Sequence, residues 1–133
     1  MVGKGVCFDA GGLNIKPTKS IESMWCDKGG ACAVLAVFKA VVDMKLPVNL
    51  VCSVAFVENL LGSDAYHPSD IIKSHKGLTV EIGNTDAEGR LILCDAMSYT
   101  QQHYKPNTLI EFSTLTGAVM VALVRFYIRD LCW

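Results

Sequence analysis

Residues 48–57 read VNLVCSVAFV, a nearly continuous run of apolar side chains in which β-branched residues recur. Such a run is typical of a β-strand that is covered on both faces of its sheet. Pro47, directly before it, ends a helical pattern over residues 29–42, in which apolar side chains keep returning to one face. A helix followed by a strand covered on both faces predicts a layered α/β sheet.

The rest of the sequence alternates between strand and helix patterns in the same way. Residues 2–8 predict a first strand, which closes in the turn Asp9-Ala10-Gly11-Gly12. We therefore predict an α/β fold, a layered sheet with helices on both faces, in which ligands gather where strand ends give way to loops. The other predicted elements are a loop over 60–70, strands over 78–82 and 108–112, a helix from Asn84 to Tyr99 capped by Thr85 or Asp86, and an apolar helix after residue 117.

The composition bounds the size of the protein and its partners. The chain has 133 residues, which is enough for one small domain and too few for two. Apolar residues make up 51% and charged residues 19%, with a mean hydropathy of +0.34. We therefore expect the chain to contribute buried sheet and helix to something larger. A net charge of −1 without any basic cluster argues against a nucleic-acid-binding protein.

The cysteines and the apolar runs near the ends bear on the compartment. All six cysteines lie in or beside apolar runs without a CxxC pair, so we predict buried, reduced thiols and a reducing compartment. Asp9 interrupts the apolar stretch near the N-terminus, which argues against a signal peptide. The run 117–128 contains Arg125 and is shorter than the ~20 residues of a membrane span. These features predict a soluble, cytoplasmic protein without a membrane partner. The cysteines are Cys7, Cys26, Cys32, Cys52, Cys94 and Cys132.

Four acidic residues stand at the boundaries of predicted elements, and glycine lies close to each of them. Asp9 ends the first strand, Asp27 precedes the first helix, and Asp86 and Glu88 open the second. Four carboxylates that converge at the mouth of an apolar sheet repel one another, and one or two divalent cations would resolve this repulsion. Taken singly, each acid is better explained as a helix cap or a solvated turn, and only the four together shift the balance toward a metal site. The spacing alone leaves both interpretations open.

Four segments resemble motifs of the leucyl (cytosol) aminopeptidase family. The octapeptide NTDAEGRL at 84–91 is similar to the signature of that family. Residues 3–16, GKGVCFDAGGLNIK, resemble its first active-site segment, and MWCD at 24–27, followed by GGA at 29–31, resembles the second. STLTGA at 113–118 resembles the fourth. The segments occur in the order that the family shows.

This resemblance implies a dinuclear metal site. Lys4, Asp9, Asp27 and Glu88 would hold one ion, with Lys4 acting as a neutral amine. Asp9, Asp86 and Glu88 would hold a second, more exchangeable ion. The implied ions are zinc or manganese, with magnesium or cobalt as alternatives, and a pair of such ions activates a shared water.

The resemblance also implies catalytic and substrate-binding roles. Lys16 would polarise the scissile carbonyl and stabilise the tetrahedral intermediate, and Arg90 would hold a bicarbonate ion that acts as general base. The implied substrates are peptides with a free N-terminus, and full-length members are expected to form homo-oligomers (hexamers). The pocket for the N-terminal side chain would be lined by Met24, Thr114, Leu115 and Gly117.

The likeness to the family runs from residue 2 to about 124, and residues 125–133 form a divergent tail. Because members of the family are much longer, we expect residues 1–133 to be an incomplete peptidase catalytic domain, its central part. One hypothesis is a metal-dependent aminopeptidase that hydrolyses the N-terminal peptide bond. The alternative is a truncated, inactive remnant of such an enzyme with at most a binding role.

Other polar residues receive weaker interpretations. His67, His75 and His103 match no liganding spacing and are expected on loops or surfaces. Their spacing disfavours a two-metal phosphoesterase, which usually adds histidine or asparagine ligands. Glu58-Asn59 follows a predicted strand, and we interpret it as a structural turn in preference to a part of the site.

Overall fold

The computed structural model describes residues 1–123, in which strands and helices alternate. Single-turn 3₁₀ helices, Met24–Cys26 and Thr85–Ala87, lie shortly before the two long α-helices. In chain order the elements are β1 (Val2–Asp9), α1 (Thr18–Ile21), α2 (Gly29–Asp43), β2 (Ser53–Asn59), β3 (Ile71–Lys73), β4 (Thr79–Glu81), α3 (Glu88–Tyr104), β5 (Glu111–Phe112) and α4 (Val119–Ala122).

Strand β1 is the middle strand of a parallel sheet with the order β2-β1-β5. Val2 pairs with Ser53 of β2 on one side and with Glu111 of β5 on the other. Parallel strands need crossover connections, which α2 provides between β1 and β2, and α3 between β2 and β5. Strands β3 and β4 form a separate antiparallel pair. Because β1 and β2 run parallel, their carboxyl ends, Asp9 and Asn59, meet at one edge of the sheet.

The two long helices cover opposite faces of this sheet. A Cβ added to Gly3 would lie 2.7 Å from the Cα of Ala31 in α2, so this face of β1 touches the helix backbone. The next residue, Lys4, points the other way, and its side chain packs against Gly89 of α3. Helices on both faces of a parallel sheet confirm the predicted α/β layered fold.

A register shift near the end of β1 changes the face to which Asp9 points. Lys4 pairs with Ala55 and Val6 with Val57, but the next paired residue on β1 is Asp9, opposite Asn59. Three steps along β1 therefore match two steps along β2, which is the pattern of a β-bulge. Without this extra residue, Asp9 would face away from Lys4. The bulge brings both side chains to the face covered by α3.

The core lies between the sheet and the two long helices. Val2, Val6 and Val34 are fully buried, and Leu93 of α3 is nearly so. Each such side chain contributes about 1.5–3 kcal/mol by leaving water. In contrast, Phe56 of β2 is 53% exposed. Residues 1–123 therefore leave part of β2 uncovered, and its coverage by segments beyond these residues stays a prediction.

The bounds of several elements differ from the predictions. Strand β2 begins at Ser53 and not at residue 48, because pairing with β1 starts at Ser53. Strand β5 has two residues in place of the predicted 108–112. Strand β3, Ile71–Lys73, which pairs with β4, was not indicated by the sequence pattern.

The helix ends also differ. Asn84, and neither Thr85 nor Asp86, caps the 3₁₀ turn before α3, since its side-chain oxygen accepts from the Asp86 N–H at 2.8 Å. The Thr85 hydroxyl donates to the Gly11 carbonyl instead. Helix α2 stops at Asp43, before Pro47 is reached.

The prediction that the cysteines are buried is wrong for the five that the structure describes. Cys26, Cys32 and Cys94 are exposed, and Cys7 and Cys52 are half-buried; these five are free thiols. Within residues 1–123, Cys26, Cys32 and Cys94 lie on the exposed side of their segments, and the sequence pattern could not distinguish these positions from core. Cys132 and the divergent tail, 125–133, lie outside the described residues. Every helix that the structure describes is too short or too polar to span a membrane.

Candidate metal centre

Asp9 lies at the end of β1 and is nearly inaccessible to solvent. Its Oδ1 accepts hydrogen bonds from the Gly11 N–H and the Asn59 amide, both at 2.9 Å, while its Oδ2 lies 2.9 Å from Lys16 Nζ. Burial acts to raise the pKa of Asp9, but Lys16, Asn59 and Gly11 outweigh it and hold the pKa below its ordinary value. The structure therefore favours an ionised Asp9.

The turn after β1 brings Lys16 back over Asp9. Gly11 and Gly12 have φ values of 90° and 63°, which L side chains rarely adopt, and the Lys16 N–H then donates to the Ala10 carbonyl. Lys16 Nζ lies 2.5 Å from Asp86 Oδ1 as well as against Asp9. Burial acts to lower the pKa of Lys16, but these two carboxylates more than offset it and raise the pKa.

Lys4 occupies a second position among the acids. Its Nζ lies 2.8 Å from Asp27 Oδ2 and 3.0 Å from Glu88 Oε1, and it donates to the Thr114 carbonyl at 2.9 Å. Burial raises the pKa of Glu88, and Lys4 opposes this effect only in part. The elements that supply these groups are β1, the start of α3, and the segments before α2 and after β5.

Three of the acids converge closely enough to share a cation. Asp9, Asp86 and Glu88 each offer a carboxylate oxygen, and these oxygens lie within 4.8 Å of one another. Oxygen atoms grouped in this way suit a hard divalent cation.

Two buried carboxylate oxygens, one on Asp27 and one on Asp86, bear on whether a cation fits this site. Asp27 Oδ2 and Asp86 Oδ1 are buried, and neither accepts a well-oriented hydrogen bond. Each lies against a lysine Nζ, Asp27 against Lys4 and Asp86 against Lys16, so the contacts are electrostatic without good hydrogen-bond angles. Buried carboxylate oxygens with this unused capacity fit metal ligation.

A comparison with known proteins assigns the family. The model of the cytosol aminopeptidase family, catalytic domain, matches residues 1–128. The chain belongs to the cytosol aminopeptidase family. A probable cytosol aminopeptidase of Cenarchaeum symbiosum is 54% identical over 123 residues, which cover 92% of this chain and 25% of that protein. Its counterpart in Xylella fastidiosa (strain M12) is 53% identical over 125 residues, 94% of this chain and 25% of that protein.

Solved structures show the same likeness. The leucyl aminopeptidase of Trypanosoma brucei, in complex with actinonin, superposes with a TM-score of 0.90 at 41% identity, over 93% of this chain and 24% of that one. The leucine aminopeptidase of Caenorhabditis elegans gives 0.89 at 44% identity, over 91% and 25%. The chain thus spans about a quarter of the length of these relatives. The family and fold expected from the motifs are confirmed.

In this chain of the cytosol aminopeptidase family, three of the four residues expected to line a substrate pocket, Met24, Thr114 and Leu115, lie near Asp27 or the start of α3. The Thr114 hydroxyl donates to Asp27 Oδ1 at 2.6 Å. Met24 is half-buried on the 3₁₀ turn just before Asp27, and Leu115 approaches Gly89 at the start of α3. Gly117 is exposed and borders open space among the described residues.

Arg90 is the expected site residue that the structure does not tie to the others. It is exposed, two residues after Glu88, and forms no ion pair within residues 1–123. His67, His75 and His103 are exposed, in agreement with the prediction.

Sequence reasoning missed the neutral groups that hold the site together. Asn59 is the last residue of β2, not a turn, and its amide lies among the acids. The Tyr66 hydroxyl donates to the Thr85 carbonyl at 2.6 Å, and burial, followed by the nearby carboxylates, raises the pKa of Tyr66 to about 12. Thr85 and Asn14 exchange hydrogen bonds, which fix the turn after β1 against the start of α3. Only Asn59 carried a signal, since it ends the strand parallel to the one that ends at Asp9.

Proposed function

We propose that this chain supplies the metal centre of a metal-dependent aminopeptidase, which hydrolyses the N-terminal peptide bond of peptides. The observation that carries the proposal is the convergence of Asp9, Asp86 and Glu88 within 4.8 Å in a chain of the cytosol aminopeptidase family. Asp27 and Lys4 adjoin this cluster at Glu88.

We assign the ligands to two ions that share two carboxylates. Lys4, Asp9, Asp27 and Glu88 hold one ion, and Asp9, Asp86 and Glu88 hold the other. Zinc or manganese is proposed, with magnesium or cobalt as alternatives, because the donors are oxygen atoms and one amine. The ions supply Lewis-acid activation of water and of the scissile carbonyl when they are bound.

The remaining polar residues act on the substrate. Lys16, whose ammonium is favoured by Asp9 and Asp86, donates to the scissile carbonyl oxygen and stabilises the negative charge that develops there. Arg90 would hold a bicarbonate ion in its planar guanidinium fork, and this anion would supply a general base when bound. Met24, Thr114, Leu115 and Gly117 contact the N-terminal side chain of the peptide.

The proposed partners and compartment follow from the family. The substrates are peptides with a free N-terminus, the complete protein forms a homo-oligomer (a hexamer), and it acts in the cytoplasm. Related proteins carry the name cytosol aminopeptidase. No nucleic-acid partner is proposed, since the net charge of the chain is −1.

A second candidate function is that of a truncated, inactive remnant with at most a binding role. It is favoured by large apolar side chains that are exposed on β2 and α2, as in Phe56 and Val42. In this case the chain would bind metal without turnover.

Metal content tests the proposed centre. We expect two Mn²⁺ ions per wild-type chain by elemental analysis after dialysis, a measurement that tolerates self-association. Glu88→Ala should lose both ions because the carboxylate is shared, whereas Asp27→Ala should lose mainly the ion that it holds with Lys4. Glu81→Ala, an exposed acid on β4, serves as the matched control.

The same variants separate the two candidate functions. If Glu88→Ala kept the metal content of the wild type, the ligand assignment would be wrong. Mn²⁺-dependent hydrolysis of leucine amide by the chain extended to the length of its relatives favours the enzyme, and metal binding without turnover in that extended protein favours the remnant.

A further inference from the structure

The amide of Asn59 lies at the point where the two shared carboxylates meet. Asn59 is buried at the end of β2, and its backbone carbonyl accepts from the Ala10 N–H. Its Nδ2 lies 2.9 Å from Asp9 Oδ1, 3.0 Å from the Thr85 carbonyl oxygen and 3.3 Å from Glu88 Oε2. Three acceptors surround this nitrogen, so the amide must present its NH₂ to them, because its carbonyl would be repelled by all three.

The amide divides the oxygens of each carboxylate into two kinds. On Asp9, Oδ1 accepts from Asn59 and Gly11, and Oδ2 faces Lys16. On Glu88, Oε2 accepts from Asn59, and Oε1 faces Lys4. In both acids one oxygen accepts from a neutral donor, and the other faces a lysine ammonium group.

We propose that Asn59 is a positioning residue, which fixes Asp9 and Glu88 so that Asp9 Oδ2 and Glu88 Oε1 are the oxygens that meet the metal ions. This inference rests on the proposed function, in which these two acids are shared between the ions. A neutral amide suits the task because it holds two carboxylates close together without adding a positive charge that would compete with the metal.

The same amide connects the carboxylates to the backbone that carries Asp86. The Thr85 carbonyl accepts from Asn59 and also from the Tyr66 hydroxyl, so two side chains from the β2 end and the following loop hold it. Asp86 follows directly in the 3₁₀ turn. Asn59 therefore orients three of the proposed ligands. It contacts Asp9 and Glu88 directly, and it acts on Asp86 through the backbone carbonyl of the residue before it.

The test measures metal binding by variants of the 133-residue chain. Asn59→Leu has a similar size and lacks both donors, and Asn59→Ser replaces it if the leucine variant does not fold. Thr100→Val, which removes a buried hydroxyl that donates to the Ala96 carbonyl within α3, controls for a general loss of stability. The readouts are the Kd for Mn²⁺ and the visible absorption spectrum of bound Co²⁺, which reports the ligand geometry.

We expect the Asn59 variant to bind Mn²⁺ about 10–100-fold more weakly, which is the usual effect of removing a group that orients a metal ligand. Its Co²⁺ spectrum should differ from that of the wild type, while Thr100→Val keeps the wild-type Kd and spectrum. An unchanged Kd and spectrum in the Asn59 variant, or the same change in Thr100→Val, would overturn the positioning role. If the wild-type chain itself bound neither Mn²⁺ nor Co²⁺, the proposed function would fail before Asn59 is tested.

Discussion

Lysine side chains take the positions between carboxylates where positive charge is needed. Lys16 lies against Asp9 and Asp86, and Lys4 lies in the same way against Glu88. With Asp27 included, four acids and two lysines give a formal charge of −2 (−4 + 2) in a largely buried cluster. Such a cluster repels itself unless cations enter it. The two lysines therefore stabilise the site but do not neutralise its four acids.

Replacing Lys16 by Met should separate the stability of the site from its chemistry. Without metal, Lys16→Met should lower the thermal midpoint, because Asp9 and Asp86 lose their counter-charge. Since the folded-state pKa of Lys16 is raised above 10.5, this stabilisation is complete below that pH and is lost as the pH rises through the folded-state value. The difference in thermal midpoint between the variant and the wild type should therefore disappear in alkaline solution, where Lys16 is deprotonated.

In the chain extended to the length of its relatives and loaded with Mn²⁺, Lys16→Met should keep the metal content and lose roughly 10²–10³ in kcat, the typical effect of one oxyanion donor. Lys19→Met, on the exposed helix α1, is the control. Full activity of Lys16→Met with normal metal content would contradict the role in carbonyl binding.

The charged residues of the site could be found from the sequence, and the neutral ones could not. Asp9, Asp86 and Glu88 stand next to glycines at element ends, and the structure brings them together. Asn59 has an equivalent position, but asparagine after a strand is common in turns. Its amide acquires a function only through the three acceptors around it, which come from separate parts of the chain.

Among the elements, the long helices were predicted more closely than the short strands. Helix α2 carries a periodic apolar pattern over several turns, which can be recognised even where single residues depart from it. Strands β4 and β5 lie within the predicted strands 78–82 and 108–112 but are shorter, and β3, with three residues, was not indicated at all. The bulge between Val6 and Asp9 is likewise invisible in the sequence, because only the register against β2 defines it.

The two glycines that open α2 should respond in opposite ways to alanine. A Cβ on Gly30 would lie 2.1 Å from the Phe112 carbonyl oxygen and 3.1 Å from the Lys4 nitrogen, both backbone atoms. Gly30→Ala must therefore move the helix off the sheet, at about 1–3 kcal/mol or more. Among residues 1–123, a Cβ on Gly29 meets the Thr114 methyl at 3.6 Å and nothing closer, so Gly29→Ala should be neutral or stabilise by up to ~1 kcal/mol.

Urea denaturation of the two alanine variants beside the wild type measures the difference in the free energy of unfolding. Equal stabilities of Gly29→Ala and Gly30→Ala would show that the contact between α2 and β5 is looser than described.

At the scale of the whole molecule, the apolar composition has a structural counterpart. Leu35 and Val42 are seven residues apart on α2, as are Val37 and Met44, so each pair lies along one side of the helix. All four are exposed within residues 1–123. The sequence correctly indicated an excess of apolar residues. An apolar pattern, however, cannot show which of these faces are covered by other residues of the same chain.

The chain in isolation exposes several large apolar side chains. Phe56 of β2, and Val42 and Met44 at the C-terminal end of α2, are each more than half exposed, and exposed apolar surface favours association. We expect the 133-residue chain alone to be poorly soluble, to elute as large assemblies in size-exclusion chromatography, and to show little or no turnover of leucine amide with Mn²⁺. Val42→Lys with Met44→Lys should reduce the assembly, because a charge on each of two sides of the helix opposes contact between copies. Extending the chain to the length of its relatives, of which it spans about a quarter, should improve both solubility and turnover. A soluble monomer that hydrolyses leucine amide would show instead that these residues form a self-sufficient enzyme, and that the exposed apolar surface has no structural partner.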